Sequence, residues 1–282
     1  MERSDRIDAY APAEIARRVR DVGVSKARLS TPKLLALAVL AGAFIGIGAC
    51  FSTLVITGSE AGFGPTRLLG GLVFSLGLVL VIIAGAELFT GNNLIAMAWA
   101  DRSVTSVEVL RNWLLVYAGN LVGALLTALL VFLSGIWKLG DYGVGGQALA
   151  IAAAKCELPL VEAFFRGVLC NALVCLAVWL CFSARSTADK ILSIILPISA
   201  FVALGFEHSI ANMYFIPLGI LLGGEPGLLE SGAHVADLAE AVHWGGFFRN
   251  LVPVTLGNIA GGTLLVAGVY WFIYLRPSRM GD

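Results

Sequence analysis

Two short stretches place polar side chains where chemistry can occur inside otherwise apolar sequence. Glu207 and His208 stand side by side in GFEHSIANMYFIP, residues 205–217, and Glu87 and Thr90 stand in AELFTGNN, residues 86–93. Of the three histidines, His208, His234 and His243, only His208 falls within a long apolar run. An unperturbed imidazole changes charge near about pH 6.5, so it could bind or exchange a proton with a passing solute. A lone histidine among apolar residues is more often a packed, hydrogen-bonded group. Inside a membrane, however, an ionisable side chain is a functional candidate by default.

The surrounding chain is built for a membrane. Of 282 residues, 58% are hydrophobic and 13% charged, with a mean hydropathy of +0.87, well to the apolar side of soluble domains. The 19 basic and 19 acidic residues balance, so net charge gives no reason to expect nucleic acid or an acidic partner. Cys50, Cys156, Cys170, Cys175 and Cys181 show no C-x-x-C spacing, which suggests neither a disulfide framework nor a zinc site. No cofactor or metal is implied. The first apolar run opens at Leu34 after mostly polar sequence, a pattern that argues against a cleavable leader.

Six segments are long enough for a helix to cross a bilayer, which takes roughly 20 residues. They run near 34–58, 68–99, 110–136, 159–183, 190–222 and 250–275. The second and fifth are too long for one straight crossing, and each carries a central Gly-x-Glu, at Gly85–Glu87 and Gly205–Glu207. Each therefore reads as two half-helices around a break. Six crossings put both termini on one side. Fourteen of the 19 basic residues, Arg3, Arg6 and Arg279 among them, fall on that side, which the positive-inside rule makes cytoplasmic. Segment 13–29 puts Ile15, Val19 and Val22 on one helical face, as either an interfacial or a solvated helix would. Residues 137–158 and 223–247 read as the longer outward loops.

An internal repeat organises these segments. RNWLLVYAGNLVGALL from Arg111 matches RNLVPVTLGNIAGGTL from Arg249 at an offset of 138, and Gly85, Glu87 and Asn92 match Gly205, Glu207 and Asn212 at an offset of 120. The expected fold is an all-α membrane protein of two inverted three-helix repeats, 34–136 and 159–275, with broken second and fifth helices. Residues 1–33 precede this single channel domain and 277–282 follow it. Paired broken helices in inverted repeats create a solute path near mid-membrane. Broken backbone is tolerated there only against protein or a water-filled cavity. The repeated Glu87 and Glu207, with Asn92 and Asn212, are expected to support the breaks by accepting backbone N–H groups rather than to carry protons. Asn120 and Asn258, in matched G-N-x-x-G patterns, read as packing residues. Asn171 has no such match and is an equally good pore donor.

The stretches LVFSLGLVLVIIAGAELFTGNN (72–93), RNWLLVYAGNLVGALL (111–126), RGVLCNALVCLAVWL (166–180) and GFEHSIANM (205–213) resemble the formate/nitrite transporter family. That resemblance spans roughly residues 30–276. It implies an aquaporin-like protomer in a homopentamer of the bacterial inner membrane, with one pore per subunit. By the same resemblance, Leu78, Leu88 and Phe89 form the cytoplasmic-side constriction, and Phe74 and Phe201 the periplasmic one. His208 lies between them with Thr90 and Asn171 as neighbouring donors, and Lys155 matches the vestibule lysine, although a solvated loop lysine is the plain alternative. The glycine of FTGNN departs from the FTS of most formate channels and occurs in nitrite-channel-like members.

The function expected is passage of a small monovalent anion of a weak acid, formate ahead of nitrite, with lactate, acetate and hydrosulfide behind. A bare anion would lose its hydration shell in the constrictions, so a pH-dependent route past His208, with or without proton coupling, is expected. An aquaporin-type neutral-solute channel is a rival, but the chain has no Asn-Pro-Ala. A haem enzyme or redox carrier would want paired histidines within spans, and only His208 is available. No enzyme chemistry is indicated.

Overall fold

The computed structural model describes residues 9–231 and 233–276, so Arg3, Arg6, Arg279 and the 277–282 tail lie outside the described residues. Among the described residues every regular element is helical. Helices α1 (Pro12–Ala27) and α2 (Thr31–Ile56) each carry a proline in the first turn, where its missing N–H removes no helical bond. Helix α3 (Phe63–Gly85) ends in a π-helical turn, Leu80–Gly85. Beyond the first break come α4 (Phe89–Asn92), a 3-10 turn over Asn93–Ile95 and α5 (Ala96–Ala100).

Helix α6 (Ser106–Ser134) starts at a capping box between Thr105 and Glu108 and ends at Gly135 in the left-handed region, which closes the last turn without steric cost. Helices α7 (Gly143–Glu157), α8 (Leu160–Ser183) and α9 (Thr187–Ala203) follow, the last opened by a second capping box, Ser186 with Asp189. Past the second break lie α10 (Ser209–Leu222), then α11 (Pro226–Leu229) and α12 (Ala233–Ala241). Helix α13 (Trp244–Tyr274) closes the fold, with a π-helical section over Gly261–Gly268.

Five helices, α2, α3, α6, α8 and α13, are long and apolar enough to cross a membrane. The expected span 190–222 is divided between α9 and α10, and each part is shorter than a crossing. Leu114, Leu130, Leu133, Leu192 and Leu196 stand exposed on outer faces, as residues solvated by lipid rather than water would. Inside, α2 packs on α6 and α3, and α8 packs on α13 and α9. Glycines set the closest crossings, Gly123 and Gly261 among them. A Cβ at Gly123 would fall on the Val39 carbonyl oxygen, and one at Gly261 on that of Val168. Both pairs thus pack backbone to backbone.

Three sequence expectations change. Residues 137–158 are not a loop: after a 3-10 turn at Ile136–Lys138 they form α7, because the run from Ala148 to Ala154 is rich in alanine, the best helix former. The 223–247 stretch likewise contains α11 and α12. The apolar face of helix α1 packs on the protein. Its Ile15 and Val19 are buried with Leu94, Met97 and Trp179, so its apolar face is satisfied by the protein itself.

Candidate functional site

Both helix breaks turn on glycine. Gly85 has φ 85° and Gly205 has φ 72°, a left-handed conformation that ends a helix and that a side chain disfavours. The backbone freed at each break is held by the same set of bonds. Glu87 N–H donates to Leu37 O (3.2 Å), and Glu207 N–H to Arg166 O (3.3 Å). The Asn120 side chain accepts from Phe89 N–H (2.9 Å) while its amide donates to Glu87 O (2.9 Å) and Ala38 O (2.7 Å). Asn258 accepts from Ser209 N–H (2.9 Å) and donates to Glu207 O (3.0 Å) and Gly167 O (2.8 Å). These asparagines, and not the glutamates, take up the exposed backbone N–H groups.

The glutamates instead anchor two matched networks. Lys26 of α1 reaches Glu87 Oε1 at 2.8 Å and Asn92 Oδ1 at 2.9 Å. Asn92 donates to Glu87 Oε2 (2.7 Å) and Asn112 Oδ1 (3.0 Å), and Asn112 donates to the Lys26 carbonyl (3.0 Å). On the other side Lys155 meets Glu207 Oε1 at 2.9 Å, Asn212 donates to Glu207 Oε2 and Asn250 Oδ1 (both 2.6 Å), and Asn250 donates to the Lys155 carbonyl (2.9 Å). Buried charges persist only when paired and hydrogen-bonded, and each break meets that condition with a lysine from the helix preceding its repeat. Helix α1 is therefore the counterpart of α7.

Each network faces a cavity. The first, about 500 Å³, is lined by Lys26, Glu87, Leu78, Leu88 and Asn92 among others. The second, about 360 Å³, is lined by Lys155, Glu207, His208, Phe74 and Phe201 among others. Phe74 and Phe201 meet edge to face at 5.6 Å, and the His208 ring stacks on Phe201 at 5.9 Å. Leu78 and Leu88 are almost fully buried. Phe89 turns away, packing edge-on against Trp113 and Tyr117, and lines neither cavity.

The ring of His208 sits at the join between the breaks. Its Nδ1 caps α10 by accepting Ala211 N–H at 3.1 Å, and its Nε2 lies 2.9 Å from Thr90 Oγ1. A nitrogen that accepts carries no proton, so the neutral ring is the Nε2–H tautomer and Thr90 is the acceptor. Thr90 is fully buried. Asn171 is also fully buried, and its amide N–H groups are committed to Thr90 O (3.2 Å), Asn93 Oδ1 (2.7 Å) and Asn258 O (2.6 Å). It braces the first break from behind.

The structure thus groups Leu78 and Leu88 with the first cavity, and Phe74, Phe201, His208 and Lys155 with the second. Lys26, Asn93, Asn112 and Asn250 were not singled out from the sequence. The repeat offset of 138 already pairs Asn112 with Asn250, while Lys26 pairs with Lys155 at a different offset, 129.

Apolar spanning helices with two cavities, each holding a lysine–glutamate pair at a buried break, define an integral membrane transport protein. A model of the formate/nitrite transporter family matches residues 13–272, and the chain belongs to that family. It is 42% identical over 282 residues to the formate channel FocA of Escherichia coli strain K12, covering 99% of each. A solved pentameric formate channel with formate bound matches with TM-score 0.79 at 41% identity, over 87% of this chain and 98% of that one. A solved FNT family ion channel matches with TM-score 0.80 at 30% identity, over 92% and 98%.

Proposed function

We propose that this protein is a formate channel of the bacterial inner membrane, a homopentamer with one pore per protomer. The six crossings form two inverted repeats, 34–136 and 159–275, within one channel domain, with residues 1–33 and 277–282 on the cytoplasmic side. The first cavity then opens to the cytoplasm and the second to the periplasm. Leu78 and Leu88 narrow the path on one side, Phe74 and Phe201 on the other. The four bonds shared by the Lys26–Glu87–Asn92–Asn112 and Lys155–Glu207–Asn212–Asn250 networks support the repeat, although only the first adds a Lys26–Asn92 bond, and the formate-binding relative supports the substrate.

The observation that carries the reading is the His208–Thr90 contact between the two cavities. Moving a bare carboxylate through an apolar constriction strips its hydration at a cost idealised at tens of kcal/mol. Formate avoids most of that cost by taking a proton from a hydronium ion of the entry cavity, which becomes water, crossing as formic acid and releasing the proton to water on the far side. His208 fixes the Thr90 oxygen as an acceptor, so the Thr90 hydroxyl hydrogen turns toward the passing carboxylate. Asn171 holds the Thr90 backbone in place.

Labelled formate and nitrite uptake into proteoliposomes across acidic to neutral pH tests this. Formate flux that rises with acidity, and a His208→Phe variant that loses that pH dependence or its selectivity, are expected. Nitrite preference would reassign the substrate. An unaltered pH profile in the variant would remove His208 from the proton-linked step.

A further inference from the structure

Both cavities contain a lysine, but neither lysine is a free charge. Lys26 is 2.8 Å from Glu87 and Lys155 is 2.9 Å from Glu207, so each pair is neutral overall and its field falls off as that of a dipole. Each cavity also carries a cation that has no carboxylate partner among the described residues. In the first it is Lys190, at the start of α9, lining the same cavity as Gly85 and Lys26. In the second it is Arg67, whose Nε and Nη2 donate to the carbonyls of Ala203 (2.8 Å) and Val202 (3.0 Å) beside Gly205. Carbonyl dipoles orient that guanidinium without cancelling its charge. Arg166, the remaining cation of the second cavity, is neutralised by Glu162 at 2.8 Å.

We infer that Lys190 and Arg67, rather than the paired lysines, are the cations that draw a small monovalent anion into the two mouths. The inference rests on the transport reading above and assigns the electrostatic part of it to two residues. A net charge inside a low-dielectric cleft raises the local concentration of the opposite ion, and the effect weakens with salt. The paired lysines serve a separate purpose, holding Glu87 and Glu207 at the breaks.

The test is passive flux of formate and of nitrite through proteoliposomes of oriented full-length protein, with an impermeant salt added to one face at a time. In the wild type, salt on either face lowers permeability. Lys190→Gln should reduce permeability about tenfold, the low end of what a charged cleft contributes, equally in both directions as reversibility requires. Its flux should no longer respond to salt on the first-cavity face, while the response on the other face remains. Lys190→Arg should restore both properties. Arg67→Gln should show the mirror pattern. If Lys190→Gln and Arg67→Gln keep wild-type flux and wild-type salt response while an anion still passes, the inference is wrong and the transport reading stands. If the wild type passes neither anion, the transport reading fails and takes this inference with it.

Discussion

The Nε2 atom of His208 lies 2.9 Å from Oγ1 of Thr90, and this one contact joins the second helix break to the first. The two residues are not counterparts in the repeat: Leu88 holds the place of His208, and Ile210 that of Thr90. The repeated residues, Glu, Asn and Lys, build the scaffold of each break. The unrepeated ones meet at the join, where a symmetric scaffold has to become specific.

Replacing His208 separates its two roles. An asparagine at this position can still accept the Ala211 N–H at the start of α10, whereas phenylalanine cannot, and a lost cap costs about 1 kcal/mol. His208→Asn should therefore be the more stable of the two in detergent, with both losing the bond to Thr90. Thermal unfolding of the purified variants checks this, and equal midpoints would show that the cap contributes nothing.

Lys155→Met should be costly in a way that a second change repairs. The side chains of Lys155 and Glu207 are 14% and 7% exposed, so the single variant strands a carboxylate, at about 3–5 kcal/mol. Adding Glu207→Gln removes the stranded charge and should recover most of the loss. A double variant no more stable than Lys155→Met would mean that the pair carries little of the stability.

Asn120→Ala and Asn258→Ala should loosen the breaks without touching either cavity wall. Each leaves one backbone N–H and two carbonyls without their partner, at about 1–3 kcal/mol per stranded group. Hydrogen exchange at Phe89 should quicken in the first variant and at Ser209 in the second. Unchanged protection would show that other bonds hold those segments.

Much of this architecture was legible in the sequence because it is written in periodic or repeated features. Apolar runs long enough for a bilayer marked the five long apolar helices, Gly-x-Glu marked the two breaks, and the offsets paired Glu87 with Glu207. Helix α7 was hidden by Gly143, Gly145 and Gly146, which look like loop residues but sit at its first turn, where Gly145 lets Trp137 and Leu228 approach. The role of Lys26 was hidden for a different reason. It lies on an amphipathic segment whose polar face suggested a surface, and only the docking of Ile15 and Val19 turns its ammonium toward Glu87. The asparagines illustrate a third limit. Side-chain type announces a hydrogen-bonding group, but which backbone atoms Asn120 and Asn171 hold depends on helices far apart in the chain.

Formate flux through Thr90→Val proteoliposomes tests most directly whether the path crosses the His208–Thr90 contact. The substitution keeps the shape of a fully buried side chain and removes the hydroxyl that His208 meets. Loss of a hydrogen bond to a charged or charging group predicts a fall of about tenfold or more in formate flux, in protein that still assembles and melts near the wild-type temperature. Wild-type flux in that variant would contradict a route past these two residues.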